Sequence, residues 1–294
     1  MNKLKGIYAA LVTPFGADGS LNLQALEKLM ETNMEEGVTG FYLSGSTGES
    51  FMMTNEERKQ LIKRAAQIVN HRVPLLANVG SFSLGQALDM AKAAQEAGLD
   101  AVSSVPPFYF PFNKEEIKDY YRSLQKESGM PLLIYNIPKM SGVSFSTEDL
   151  DELLQEPGII GAKQTTFDLF QTEQIVRKYP GKSIFNGHDE IFLSAMSVGV
   201  EATIGTTVSI MPELFLAVID GVHKGDLVKA RQAQGRINDV VEKLLSIGIF
   251  KGVKAILALR GLDCGHCRAP FAPLSKEEMA VAEETEDMIQ SWRK

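Results

Sequence analysis

The stretch Ile159-Ile160-Gly161-Ala162-Lys163-Gln164-Thr165-Thr166 is an apolar run that ends in one lysine and turns polar at once. A short apolar run of this kind reads as a buried strand. A lysine closing such a strand either snorkels to solvent or stands in a dry cavity. In a cavity, desolvation disfavours the ammonium, and the neutral amine is a nucleophile for a carbonyl. What else the chain brings to the same place decides between the two.

The run is one of a series. Strand-like segments at Gly6 to Val12, Phe41 to Leu43, Pro74 to Val79, Ala101 to Val105 and Met130 to Tyr135 precede it, and Lys182 to Asn186 and Glu201 to Ile204 follow. Helical spacing fills the intervals: Leu23, Leu26, Met30 and Met34 share one face of a helix over Asn22 to Glu36. Thr54 with Glu57, Ser83 with Gln86 and Asn113 with Glu116 read as capping boxes that open further helices. Helices are also expected over Thr147 to Leu154, Asp168 to Tyr179 and Asp189 to Val198. Eight strand-then-helix units in about 220 residues predict an α/β fold, a closed (β/α)8 TIM barrel over residues 1–225. The remaining 226–294 reads as a helical extension packed on it, with no flexible linker between the two.

The chain has 294 residues, of which 44% are hydrophobic and 23% charged, with a formal charge of −7. That profile is globular and acidic, with no basic run, so a nucleic-acid or anionic-membrane surface is not expected. The first residues run straight into a strand, and no apolar stretch has a spanning length. A cytoplasmic protein is the expectation. Both cysteines lie in Cys264-Gly265-His266-Cys267. The pair precedes a Pro-rich segment instead of opening a helix, and it lacks a second ligand pair, so neither a redox nor a zinc site is expected and it reads as a turn.

Active sites of such barrels form on the loops that follow the strands. Those loops carry Gly45, Ser46, Thr47 and Gly48 after the second strand, and Tyr135 at the end of the fifth. Lys163 and Thr165 close the sixth. Gly187, His188, Asp189 and Glu190 follow the seventh, and Gly205 and Thr206 the eighth. A lysine, a phenol, hydroxyls and carboxylates on one rim suit Schiff-base chemistry on a 2-keto acid. Lys163 would attack the ketone and Tyr135 would move protons. The glycine-rich turn would hold the substrate carboxylate on backbone N–H groups and the Ser46 and Thr47 hydroxyls. It lacks the Gly-Lys-Ser/Thr ending of a phosphate-binding loop.

Five motifs carry a family likeness: Gly45-Ser46-Thr47-Gly48-Glu49, Pro107-Phe108-Tyr109-Phe110-Pro111, Tyr135-Asn136-Ile137-Pro138, Gly161-Ala162-Lys163-Gln164-Thr165 and Asn186-Gly187-His188-Asp189-Glu190-Ile191-Phe192. From Gly6 to about Pro273 the chain resembles the N-acetylneuraminate lyases, within the superfamily that also holds dihydrodipicolinate synthase. The resemblance implies that Lys163 forms the Schiff base, that Tyr135 transfers protons, and that Ser46 and Thr47 hold the carboxylate and link it to Tyr135. It implies that Tyr109 enters a neighbouring subunit's site and that Gly187, Asp189, Glu190 and Thr206 bind a hydroxylated chain, with Thr165 nearby. It further implies a homotetramer without metal or organic cofactor. The implied reaction is reversible cleavage of N-acetylneuraminate (sialic acid) to pyruvate and N-acetylmannosamine.

Three places in the chain bear on the substrate. Dihydrodipicolinate synthases carry a carboxylate-clamping arginine five residues beyond the phenol, where this chain has Met140. A thioether cannot pair bidentately with a carboxylate. His188 stands where the lyases more often have a phenol, and Thr206-Thr207-Val208 replaces their Ser-Thr-Tyr. Another 2-keto-3-deoxy sugar acid is therefore the alternative substrate class, and a catalytically silent keto-acid-binding barrel the alternative of a different kind.

Overall fold

Eight short runs whose residues alternate between two apolar environments become eight strands: β1 (Gly6–Ala10), β2 (Gly40–Leu43), β3 (Leu75–Asn78), β4 (Ala101–Ser104), β5 (Leu132–Asn136), β6 (Ile159–Gln164), β7 (Ser183–Asn186) and β8 (Ala202–Gly205). In the computed structural model, which describes residues 3–293, each strand pairs in parallel with the next and β8 pairs with β1, closing a barrel. The helices between them are α1 (Leu23–Glu35), α2 (Asn55–Val69), α3 (Leu84–Glu96), α4 (Lys114–Ser128), the single turn α5 (Pro138–Ser141), α6 (Thr147–Leu154), α7 (Leu169–Lys178), α8 (Phe192–Ser197) and α9 (Pro212–Lys224). The expected (β/α)8 barrel is the observed fold.

Alternation along the strands builds two cores. Ile7, Phe41, Leu75, Val102, Ile134 and Ala162 face the helices. Tyr8, Tyr42, Leu76, Leu133, Tyr135 and Phe185 fill the barrel interior. Tyr8 and Phe185 meet edge to face there, with centroids 5.1 Å apart.

One irregularity in β6 decides which core Lys163 joins. Leu132 pairs with Ile159, but Leu133 pairs with Gly161, so Ile160 is an extra residue, a β-bulge. Ile159 and Ala162 both face the helices, although strict alternation from Ile159 would place Ala162 inside. The bulge resets the phase, and Lys163, in register with Tyr135, faces the barrel interior. Glycine is required beside it, because a β-carbon on Gly161 would lie 1.9 Å from the Ser183 carbonyl oxygen.

The reciprocal capping boxes at Thr54/Glu57 and Asn113/Glu116 form as expected. At Ser83 only half forms: its hydroxyl accepts from the Gln86 N–H, and the Gln86 side chain makes no return bond. The helix expected over Asp189 to Val198 divides into a 3-10 turn (Asp189–Ile191) followed by α8. Strand β1 stops at Ala10, short of the expected Val12.

Beyond α9, Gly225 turns the chain at φ 74° into α10 (Leu227–Ile247), followed by α11 (Ile249–Leu259) and α12 (Lys276–Trp292). These helices pack on one another, and α10 also packs on α8 and α9. The Cys264–Cys267 segment lies in the irregular stretch between α11 and α12. Both thiols are free and buried, and burial pushes each up to about 12, which leaves them protonated and unreactive. No helix among the described residues is long and apolar enough to cross a membrane.

Candidate active site

Lys163 and Tyr135 stand side by side at the carboxyl ends of β6 and β5, only 4% and 2% exposed. The Lys163 Nζ lies 4.2 Å from the centroid of the Tyr135 ring and 4.7 Å from that of Tyr42. Two aromatic faces thus seat the amine in the barrel interior. Tyr42 was not singled out from the sequence. Its place between Phe41 and Leu43, which face the helices, is the signal that identifies it as inward-pointing.

Across the rim, β2 runs into the turn Gly45 to Gly48. The Ser46 hydroxyl is 3.5 Å from the Tyr135 hydroxyl. Thr47 does not join it: its hydroxyl bonds that of Thr206 at 2.7 Å, tying the turn after β2 to the loop after β8. Ser50 and Glu49 donate their N–H groups back to the carbonyls of Gly45 and Ser46. None of the hydrogen bonds found among the described residues uses the amides of Ser46, Thr47 or Gly48. Free amides beside two hydroxyls make an anion-binding concavity.

The loops after β7 and β8 build the opposite wall. Asp189 is buried, and one carboxylate oxygen accepts from the N–H and the hydroxyl of Thr207, both at 2.8 Å. Its other oxygen, Oδ1, has no partner among the described residues. Burial pushes the Asp189 carboxyl up, and the Glu190 charge adds to this, against the Thr207 hydrogen bonds and the charge of Lys163. Gly205 is glycine for a steric reason, since a β-carbon there would sit 2.0 Å from that free Oδ1. Gly187 likewise makes room for the Thr165 hydroxyl, which is buried and also without a partner.

His188 and Glu190 form the outer part of this wall. The His188 Nδ1 is 3.2 Å from a Glu190 carboxylate oxygen, and its ring stacks on Phe167 with centroids 4.4 Å apart. Burial pushes the Glu190 carboxyl up, but the His188 contact, a backbone N–H and the charge of Lys139 outweigh it and hold it below the usual range. Tyr109 is the residue that the chain does not bring to the cluster. It is 84% exposed on the loop after β4, in a left-handed backbone conformation with φ 84°. Below that loop, Ser46, Phe108, Ile137, Met140 and Phe271 line an open apolar cavity. No group of three or more His, Cys, Asp or Glu among the described residues is placed to hold a metal ion.

Comparison with known proteins supplies a family. A model of the dihydrodipicolinate synthetase family matches residues 3–289. The N-acetylneuraminate lyase of an Enterobacter species is 38% identical over 276 residues, 93% of each chain. Among solved structures, the N-acetylneuraminate lyase of Fusobacterium nucleatum complexed with pyruvate superposes with a TM-score of 0.92 at 36% identity, covering 97% of both chains. A catalytic-lysine mutant of the Ruminococcus gnavus sialic acid aldolase does so with a TM-score of 0.96 at 27% identity, covering 100% of this chain and 99% of that one.

Proposed function

The chain belongs to the dihydrodipicolinate synthetase family, and from that premise we propose that it is a class I aldolase, a carbon–carbon lyase, that reversibly cleaves N-acetylneuraminate to pyruvate and N-acetylmannosamine through a Schiff base on Lys163. The observation that carries the reading is the buried Lys163 amine held over the Tyr135 ring, with a concavity of free amides and hydroxyls across the rim.

The Lys163 nitrogen attacks the C2 ketone, water leaves, and a protonated imine forms. The carboxylate at C1 rests on the amides of Ser46 to Gly48 and the Ser46 and Thr47 hydroxyls. The Tyr135 oxygen, linked to Ser46, takes the proton from the C4 hydroxyl. The C3–C4 bond breaks, its electron pair moves into the iminium, and C4 departs as the aldehyde of N-acetylmannosamine. Protonation at C3 and hydrolysis release pyruvate and regenerate the amine. The iminium is the electron sink, so this chemistry needs no metal or organic cofactor. Asp189 Oδ1 and the Thr165, Glu190 and Thr206 side chains, with Gly187, His188 and Gly205 shaping the wall, take the hydroxylated end. Met140, 60% exposed on the opposite side, offers a second carboxylate nothing to pair with.

The site is completed by a second copy. The exposed Tyr109 of a neighbour, in a homotetramer, would enter the apolar cavity beside Ser46; sedimentation as a monomer would remove this part. Two free thiols suit a reducing compartment, and we place the enzyme in the cytoplasm, to be checked by cell fractionation. The central test is borohydride reduction in the presence of pyruvate. It should add a stable adduct to Lys163 that peptide mapping locates, and Lys163→Ala should take none; an unmodified wild-type lysine would sink the reading.

A further inference from the structure

Glu49 ends the Gly45–Gly48 turn, and its carboxylate is buried against the C-terminal extension. Its side chain is 0% exposed and that of Lys254, on α11, 2%, with Lys254 Nζ 2.8 Å from Glu49 Oε1. The other carboxylate oxygen accepts the Arg268 N–H at 2.8 Å. Lys254 also donates to the His266 carbonyl at 3.1 Å. Both cations cover the Phe15 ring, Lys254 at 4.5 Å and Arg268 at 4.2 Å from its centroid. The Arg268 guanidinium bonds the Met52 carbonyl at 2.8 Å and the Gly19 carbonyl at 2.7 Å, and it pairs with Glu57. The segment that carries Ser46 and Thr47 is therefore held at Glu49 and again at Met52 by residues more than two hundred positions later.

Burying both members of an ion pair gains little net stability, because desolvation offsets the attraction, so such a pair serves geometry better than it serves folding. Glu49 also adopts φ 54°, ψ 39°, a left-handed conformation that a residue with a β-carbon keeps only when its surroundings enforce it. Its own N–H closes the turn on the Ser46 carbonyl at 3.1 Å. The side-chain anchor and the turn geometry are thus one unit.

We propose that Glu49 and Lys254 are positioning residues for the reaction. Through them the C-terminal extension holds the Ser46–Thr47 turn at the place where it receives the keto acid's carboxylate. This rests on the assignment of that turn as the carboxylate site. An ångström of displacement at a binding group costs up to roughly a hundredfold in rate, and the anchor removes that freedom.

The experiment measures borohydride trapping of Lys163 against pyruvate concentration, with the KM for N-acetylneuraminate, in wild type, Glu49→Gln, Lys254→Met, the double variant, and Ile289→Ala. Ile289 is a buried residue of α12, and its truncation loosens the extension without touching the turn. The half-saturating pyruvate concentration and the KM should rise roughly tenfold or more in both single variants, while trapping at saturation still reaches completion. The double variant should be no worse than the singles, since all three break one device. Ile289→Ala should lower the melting temperature and leave both constants unchanged. Half-saturation within twofold of wild type in Glu49→Gln, whose side chain keeps its shape, or an equal rise in Ile289→Ala, overturns the proposal. Should Lys254→Met not fold, Glu49→Gln alone decides. Absence of trapping in the wild type overturns the keto-acid reading and this inference with it, whereas normal wild-type trapping with unaltered variants overturns the anchor alone.

Discussion

In the proposed reading Asp189 meets the hydroxylated end of the substrate. One oxygen is held by Thr207 and the other is buried without a partner, an acceptor that a substrate hydroxyl would satisfy. Burial raises its carboxyl above the ordinary 3.8. Folding therefore favours the protonated form. That contribution is complete below about pH 3.8 and is lost as pH rises through the folded value. Asp189→Asn should accordingly gain stability relative to wild type as pH rises through the acid range, seen as a growing difference in Tm. The same variant should raise the KM for N-acetylneuraminate roughly 10- to 100-fold, the usual worth of a hydrogen bond to a charged group. A pH-independent Tm difference, or an unchanged KM, would refute this account of the residue.

Element by element, the strands and helices were legible because their apolar spacing differs, and the helix starts at Thr54 and Asn113 because a capping box is a local pattern. The bulge in β6 was not legible. Ile159-Ile160 reads as uninterrupted apolar strand, and only pairing with β5 shows that Ile160 is extra. The sequence places Lys163 on the rim, but it is the bulge that turns it inward. Deleting Ile160 should remove the bulge while keeping Gly161, Ala162 and Lys163 opposite Leu133, Ile134 and Tyr135, so that plain alternation from Ile159 still points Lys163 inward. The expected outcome is that the pyruvate–borohydride adduct still forms on that lysine. Loss of trapping with helical circular dichroism retained would contradict the reading of Ile160 as the extra residue. Tyr42 and Thr207 escaped notice for a related reason: an aromatic in a strand and a threonine in a turn carry no local mark of function, and their importance lies in what Lys163 and Asp189 touch.

At the scale of the molecule, the C-terminal extension was legible as helical, but its attachment was not, since ion pairs spanning two hundred residues leave no local pattern. Arg268, between α11 and α12, reaches α2 at Glu57 and holds that carboxyl down to about 2, from an ordinary 4.5. The folded value lies below the unfolded one, so the contribution is complete above about pH 4.5 and disappears as pH falls toward about 2. With allowance for partial solvent exposure it is worth roughly 1–2 kcal/mol. Glu57→Gln should therefore melt below wild type at neutral pH, and the gap should close between pH 4.5 and 2. A gap that stays constant across that range would place the stabilisation elsewhere.

All of these features serve a barrel that presents one amine, one phenol and one anion-binding turn to a keto acid, and the claim they converge on is carbon–carbon cleavage at Lys163. The measurement that tests it most directly is product formation from N-acetylneuraminate by the purified protein. Pyruvate and N-acetylmannosamine should appear in equal amounts with the wild type and not with Lys163→Ala. No pyruvate from the wild type, or equal release by the alanine variant, would contradict it.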